Sequence, residues 1–135
     1  MFVAPKVLAD KRILIVEDEL VIAMMIEDFL LECGCHIVGP CSSVAQALEA
    51  IGAEAPDLAV LDVNLGGEAA YPIAFALAER CIPFVFLSGY GDQAILPGQG
   101  DWKVCAKPFV GDDLIAMLAA ALENAGRTPH ETVGS

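Results

Sequence analysis

Residues 58–67, which read Leu-Ala-Val-Leu-Asp-Val-Asn-Leu-Gly-Gly, constrain the fold more than any other stretch of the chain. The stretch begins as a short apolar run without charge, which is typical of a strand buried on both faces of a parallel sheet. The run ends in one carboxylate, Asp62, followed by Asn64 and the pair Gly66-Gly67. In open α/β sheets, ligands bind in the crevice beyond the carboxyl ends of the strands. Asp62 is therefore a candidate site residue, although a lone aspartate can also cap the following turn.

Composition and charge narrow the class of protein. The 135 residues are 56% hydrophobic and 19% charged, which predicts one folded domain rather than a disordered chain. The net charge of −12 disfavours binding to nucleic acid or to an anionic membrane, since both are bound through clustered Lys and Arg. The same charge favours cationic partners such as metal ions. The chain has no apolar run long enough to span a membrane, and its N-terminus lacks the apolar core of a signal peptide. We expect a cytoplasmic protein with neither nucleic acid nor membrane as a partner.

The five cysteines predict neither a disulfide framework nor a zinc ribbon, because their number is odd and no Cys-x-x-Cys pair is present. The run Cys33-Gly34-Cys35-His36 does not match the spacing of known zinc sites. We expect reduced cysteines that pack as small hydrophobic residues.

Strand-like runs alternate with stretches of helical spacing through the chain. Strands are predicted at residues 12–16, 36–41, 58–62, 83–88 and 103–106, and helices at about residues 20–33, 43–53, 69–80 and 112–124. Residues 1–11 are expected to form a leader, residues 12–125 the domain and residues 126–135 a flexible tail. Segment 92–102 is at most weakly helical, because proline and glycine interrupt it. The alternation implies a doubly wound α/β domain with a parallel sheet and helices on both faces.

Four of the predicted strands end in polar residues of complementary chemistry. Those ends carry Glu17-Asp18, Asp62, Ser88 and Lys107-Pro108. If these strands are neighbours, three carboxylates meet in one crevice, where they repel one another unless a cation is present. Carboxylate oxygens with room for water suit Mg²⁺. Lys107 and the hydroxyl of Ser88 can each bind a phosphoryl oxygen, and Gly89 leaves space beside them.

Four motifs, in this order, resemble a two-component response-regulator receiver domain. They are Leu-Ile-Val-Glu-Asp-Glu (14–19), Leu-Asp-Val-Asn-Leu-Gly-Gly (61–67), Phe-Leu-Ser-Gly-Tyr-Gly (86–91) and Ala-Lys-Pro-Phe (106–109). The resemblance covers about residues 12–125 and implies a flavodoxin-like, five-stranded parallel sheet of order 2-1-3-4-5. Residues 86–90 are also similar to a receiver subgroup named for a Phe-Ala-Thr-Gly-Tyr signature, which occurs as single domains and at the ends of hybrid histidine kinases.

The resemblance implies a phosphoryl acceptor and a metal site. Asp62 would be the phospho-acceptor, and Asp18 and Asp62 would bind Mg²⁺ directly. Glu17 would act mostly through a metal-bound water, and Asn64 would offer its backbone carbonyl. An ionised aspartate beside Mg²⁺ is a competent nucleophile towards phosphohistidine.

The resemblance also implies how the phosphoryl group is held. Ser88, Gly89 and Lys107 would bind it, and the Lys107–Pro108 peptide bond would be cis. Ser88 stands where receivers usually carry threonine, so the hydroxyl is kept and a methyl group is lost.

A second departure concerns the switch that reports phosphorylation. Val104 stands where many receivers carry Tyr or Phe, so the familiar swing of an aromatic side chain in strand 5 is not expected. We hypothesise that Tyr90, or reordering of segment 92–102, takes over this role.

Two predicted helices have more apolar surface than one packed face requires. Leu20, Met24 and Leu31 fall near the polar side of the first helix, and the last helix carries Met117 and Ala119-Ala120-Ala121. Either helix is a candidate for docking a kinase or for homodimer formation, although scattered apolar surface residues explain the pattern as well.

The function expected from the sequence is a receiver, without an attached output domain, that catalyses its own Mg²⁺-dependent phosphorylation and dephosphorylation at Asp62. Its partner would be a histidine kinase or phosphotransfer protein. The alternatives are a degenerate receiver that only binds or dimerises, and the receiver portion of a hybrid histidine kinase. A flavin carrier is disfavoured because Glu17-Asp18-Glu19 stands where a phosphate-binding loop would need Gly, Ser or Thr.

Overall fold

The computed structural model describes residues 5–89 and 103–125. Five parallel strands form one sheet, in which the second strand along the chain lies at one edge and is followed by the first, third, fourth and fifth. They are β1 (Arg12–Val16), β2 (His36–Cys41), β3 (Leu58–Asp62), β6 (Phe84–Ser88) and β7 (Lys103–Ala106). Two short strands, β4 (Asn64–Leu65) and β5 (Glu68–Ala69), form a separate antiparallel hairpin. Since β6 and β7 are the fourth and fifth strands of the sheet, the predicted flavodoxin-like order 2-1-3-4-5 is confirmed.

Four α-helices accompany the sheet within the described ranges. They are α1 (Leu20–Glu32), α2 (Val44–Glu54), α3 (Tyr71–Glu79) and α4 (Gly111–Ala125). Ser43 caps α2, because its side-chain oxygen accepts a hydrogen bond from the N–H of Gln46 at 3.2 Å. Helix α3 begins two residues later than predicted, because Glu68–Ala69 pairs in the hairpin instead. None of the helices in these ranges is long and apolar enough to cross a membrane.

The side chains of the central strands alternate between two cores, one on each face of the sheet. Ile13 and Ile15 pack on the side of α1 and α4, whereas Leu14 and Val16 pack on the side of α2 and α3. Every residue of β3 is buried, which explains why its sequence is an uninterrupted apolar run ending in one carboxylate. Helices therefore cover both faces of the sheet, and the polar chemistry is confined to its edge.

The expectation of reduced, packed cysteines is confirmed for four of the five. All five thiols are free, and the buried ones are Cys33, Cys35, Cys41 and Cys105. Burial raises the pKa of the Cys35 thiol to about 11, so this group stays protonated and unreactive at neutral pH. The expectation is wrong for Cys81, which follows α3 and is exposed.

Some predictions fall on residues outside the described ranges. They include the switch residue Tyr90, the segment 92–102 and the tail at residues 126–135.

The residues ahead of β1 contribute to the core. Lys6–Leu8 form one turn of 3₁₀ helix, and Leu8 is fully buried in the core on the side of α1 and α4. The N–H of Asp10 donates a hydrogen bond to the carbonyl of Gly34 at 2.8 Å, which joins this turn to the loop after α1. The domain boundary expected at residue 12 stays a prediction, and Leu8 is the residue that tests it.

Replacing Leu8 by Ala is expected to lower the free energy of unfolding by about 2–5 kcal/mol, because it leaves a cavity in a packed core. Leu31→Ala is the matched control: Leu31 is 53% exposed, and its loss is expected to change stability by less than about 1 kcal/mol. Urea unfolding measures both. Equal, small effects of the two substitutions would mean that residues 1–11 are a dispensable leader.

Candidate functional site

The polar strand ends meet at one edge of the sheet. Asp62 is the last residue of β3 that pairs with β6, and Ser88 is the last residue of β6 that pairs with β7. Glu17 and Lys107 each follow directly after a strand, β1 and β7 respectively. Because these four strands are adjacent and parallel, the crevice beyond their carboxyl ends collects all four side chains.

Lys107 is the cation at the centre of this edge. Its Nζ lies 3.0 Å from Glu17 Oε1 and 3.9 Å from Glu19 Oε1, and it donates a hydrogen bond to Asp62 Oδ2 at 3.3 Å. Burial by itself lowers the pKa of Lys107, but the Glu17 and Asp62 carboxylates outweigh burial and raise this pKa above its ordinary value. The amine therefore stays charged.

The three predicted carboxylates lie close to one another. Glu17, Asp18 and Asp62 each offer one oxygen, and these oxygens all lie within 4.8 Å of one another. In the part of the chain that the structure describes, this is the one group of three or more Asp, Glu, His or Cys side chains close enough to hold an ion. Glu17 and Asp62 are buried, whereas Asp18 is exposed and open to solvent.

One carboxylate oxygen of Glu17 lies close to the charged Lys107 but makes no hydrogen bond. Its Oε2 accepts a hydrogen bond from the N–H of Glu19 at 3.2 Å, whereas the buried Oε1 has no hydrogen-bond partner, since Lys107 Nζ lies close but is not aligned. Burial, and next the adjacent Asp62, raise the pKa of Glu17 to about 7. Three carboxylates that share one ammonium group leave an excess of negative charge, which fits a hard divalent cation such as Mg²⁺.

Asn64 links the carboxylate of Asp62 to the hairpin. Its N–H donates to Asp62 Oδ1 at 3.2 Å, and its side-chain Oδ1 accepts from the N–H of Gly67 at 2.9 Å. The N–H of Ala70 donates to the carbonyl of Val63, so Asn64 occupies a non-hydrogen-bonded position of the ladder. That position directs the Asn64 carbonyl away from β5, where it can serve an ion as the resemblance implies.

Two adjoining pockets flank Asp62. The first, about 450 Å³, is lined by Asp18, Glu19, Asp62, Asn64, Gly66, Gly89 and Lys107. The second, about 280 Å³, is lined by Asp62, Val63, Asn64, Gly67, Ala69, Tyr71, Ser88 and Gly89. A Cβ atom at Gly89 would have no other atom within 4 Å, so the space between the two pockets is open. Lys107 and Ser88 thus approach Asp62 from different sides.

The remaining predicted site residues are also placed by the structure. Val104 is half-buried in β7 opposite Phe86 and packs against the core on the side of α2 and α3. The Lys107–Pro108 peptide bond is cis, the isomer that the resemblance implies. Two residues of the site were not singled out from the sequence: Tyr71, which lines the second pocket, and Glu19, which faces Lys107. Glu19 could have been recognised from the sequence, because it is the third consecutive acidic residue after β1. Nothing in the residue spacing indicates that Tyr71 belongs to the site.

The raised pKa of Glu17 predicts a pH dependence of stability in metal-free protein. The folded state holds this proton up to pH about 7, whereas an ordinary glutamate in the unfolded chain releases it near 4.5. Between these values the folded state binds more protons, so the free energy of unfolding falls as pH rises, by at most about 1.4 kcal/mol per pH unit for one group.

Urea unfolding in EDTA at pH 4.5–7 measures this slope, with Glu17→Gln as the comparison because it cannot titrate. The free energy of unfolding of the variant is expected to depend less on pH than that of the unsubstituted chain. Identical profiles for the two proteins would contradict a raised pKa at Glu17.

Known proteins share this architecture over most of the chain. The response regulator receiver domain family matches residues 13–119. The chain is 33% identical over 119 residues to the transcriptional regulatory protein PdtaR of Mycobacterium tuberculosis, which is 83% of this chain and 57% of PdtaR. It is 32% identical over 120 residues to the chemotaxis protein CheY of Bacillus subtilis, covering 82% of this chain and 97% of CheY.

Solved structures agree with the sequence comparison. The solution structure of SdrG from Sphingomonas melonis is 47% identical with a TM-score of 0.74, covering 84% of this chain and 97% of SdrG. The crystal structure of the response regulator PhyR from Brucella abortus is 27% identical with a TM-score of 0.77, covering 90% of this chain and 53% of PhyR. The chain thus spans little more than half of PdtaR and PhyR. Since the family match covers most of its length, the chain belongs to the response regulator receiver domain family.

Proposed function

We propose that the chain accepts a phosphoryl group on Asp62 from a histidine kinase or phosphotransfer protein, as the receiver of a cytoplasmic two-component phosphorelay. The observation that carries the proposal is the contact of Lys107 Nζ with Asp62 Oδ2 at 3.3 Å, beside two further carboxylates. This arrangement keeps a nucleophilic oxygen next to a fixed positive charge. Membership of the receiver family supports the same assignment.

The proposed reaction is a transfer from nitrogen to oxygen. A carboxylate oxygen of Asp62 forms a bond to the phosphorus of a phosphohistidine as the N–P bond breaks, and the bonding electron pair returns to the imidazole ring. Such transfers pass through a loose transition state, so the protein contributes positioning and charge neutralisation rather than covalent chemistry.

The surrounding residues match those two tasks. Lys107 on one side of Asp62 and the Ser88 hydroxyl on the other would each bind a phosphoryl oxygen, and Gly89 leaves room for the group to enter. Asp18, Asp62 and the Asn64 carbonyl would hold Mg²⁺, with Glu17 acting through water. When bound there, Mg²⁺ supplies additional neutralisation of the phosphoryl charge.

The exposed apolar face of α1 is where we propose that the phosphoryl donor docks. Its large side chains are exposed to solvent: Leu20, Val21, Met24, Met25 and Leu31. A pocket of about 330 Å³ continues from this face to the site and is lined by Ile22, Met25, Lys107, Pro108 and Phe109. A histidine-bearing partner seated on α1 would thus bring its phosphoryl group to the edge of the sheet that carries Asp62. Homodimer formation through α1 or α4 stays a prediction.

Incubation with acetyl phosphate and Mg²⁺, followed by intact-mass measurement, tests the acceptor. One added phosphoryl group is expected, and Asp62→Asn should abolish it because the amide is not a nucleophile at this step. Asp57→Asn is the matched control: Asp57 lies just before the same strand at its other end, where it accepts a hydrogen bond from the N–H of Arg12. If the chain stays unmodified with acetyl phosphate and also with a phosphorylated kinase, the alternative of a receiver that only binds partners is favoured.

Substitution of Met24 by Glu tests the docking face. The change is expected to slow phosphotransfer from a kinase about tenfold or more, because it places a charge in an apolar interface. The rate with acetyl phosphate should be unchanged, since Met24 is 53% exposed and lies outside the pockets around Asp62. Leu48→Glu on α2 is the matched control, at a side chain that is 39% exposed. Equal transfer rates for both variants would argue against α1 as the docking face.

A further inference from the structure

The hairpin formed by β4 and β5 is a wall of both pockets around Asp62. Its turn residues Gly66 and Gly67 have φ of +59° and +101°, the positive values that a type I′ turn requires. A Cβ atom at Gly66 would lie 3.2 Å from Asp18 Oδ2, so the backbone of the turn packs directly against this carboxylate. Movement of the hairpin would therefore disturb the side of the site where the carboxylates lie.

Strands of two residues cannot hold this hairpin in place by themselves, since even isolated longer hairpins are marginally stable in water. Its attachment to the rest of the domain comes in part from Leu65, which is buried in the core on the side of α2 and α3. A second attachment comes from Glu68, opposite Leu65 in the ladder.

Glu68 connects the hairpin to helix α2. Its Oε1 accepts a hydrogen bond at 3.3 Å from the N–H of Val44, the first residue of α2. Ser43 caps the N–H of Gln46, so the Glu68 carboxylate serves a different N–H at the same helix end.

We propose that Glu68 is a positioning residue for the cation site: by fixing the hairpin to the N-terminus of α2, it holds the Asn64 carbonyl and the Gly66 turn in place beside Asp18 and Asp62. The chain of contacts runs from Val44 through Glu68 to the hairpin, and from Asn64 N–H to Asp62 Oδ1 at 3.2 Å. The inference rests on the proposed function, because it assumes that these groups bind Mg²⁺.

Calorimetric titration with Mg²⁺ of the unsubstituted chain, Glu68→Ala and Glu68→Gln tests the proposal. Loss of the hydrogen bond in Glu68→Ala is expected to weaken Mg²⁺ binding about threefold to tenfold. Glu68→Gln keeps an oxygen acceptor but loses the charge, and it should bind within about twofold of the unsubstituted chain. The urea midpoint of Glu68→Ala should fall only slightly, because a single exposed hydrogen bond is lost, while its Gly67 N–H, which donates to Asn64 Oδ1, should exchange with solvent faster.

Val44→Pro tests the contact from the other side, because proline has no N–H to donate. Proline is favoured at the first position of a helix, and the preceding Ser43 has φ −143° and ψ 162°, which suit a residue before proline. Val44→Pro should weaken Mg²⁺ binding about as much as Glu68→Ala does. The double variant with both substitutions should bind Mg²⁺ no more weakly than either single variant.

The outcomes separate this inference from the proposed function. Absence of Mg²⁺ binding by the unsubstituted chain would overturn both. If the unsubstituted chain binds Mg²⁺ and Glu68→Ala binds it with the same affinity, the proposed role of Glu68 is overturned but the proposed function is not. Equal weakening in Glu68→Ala and Glu68→Gln would also overturn it, because the effect would then come from charge, and so would additive losses in the double variant.

Discussion

The ammonium group of Lys107, surrounded by the carboxylates of Glu17, Glu19 and Asp62, is the interaction on which the rest of the site depends. One positive charge cannot neutralise these groups together with Asp18. Burial, and next the adjacent Asp62, raise the pKa of Glu17 to about 7. Such a cluster is poised to take up positive charge, from protons or from a divalent cation. The carboxylates of Glu17 and Asp62 keep Lys107 charged and close to Asp62, as the proposed phosphoryl transfer would require.

The fold holds the mutually repelling carboxylates together because they lie on or next to rigid strands. β1, β3 and β6 are covered by helices on both faces, so their ends cannot shift without disturbing two cores. The groups at the strand ends are therefore positioned by packing far from the site. The hairpin of β4 and β5 has only two residues in each strand, which explains why its attachment through Leu65 and Glu68 matters for the site.

Much of this could be predicted from the sequence, because burial on both faces produces an unambiguous apolar run. The five sheet strands were predicted within one residue of their observed ends. The meeting of Glu17, Asp62 and Lys107 followed from parallel strands ending at the same edge. Four motifs in order supplied the strand order and the family, which the site residues alone would have left open.

Other features could not be predicted, because they depend on contacts that leave no periodic pattern. Two-residue strands are too short to show alternation, so residues 64–68 were assigned to no element and residue 69 to the start of α3. The bond from Val44 to Glu68 joins residues 24 positions apart and requires the hairpin to exist first. Leu8 lies in a short segment before a charged run, and its burial depends on α4, which is more than 100 residues further along the chain.

The most direct test of the charge imbalance is a calorimetric titration with Mg²⁺ that compares the unsubstituted chain with Asp18→Asn and Asp28→Asn. Asp18 belongs to the carboxylate cluster, whereas Asp28 is exposed on α1 and does not. One Mg²⁺ per chain is expected to bind, at least tenfold more weakly in Asp18→Asn because a direct ligand is lost, and with unchanged affinity in Asp28→Asn. Absence of saturable binding, or equal affinity in all three proteins, would contradict a cation site at this edge of the sheet.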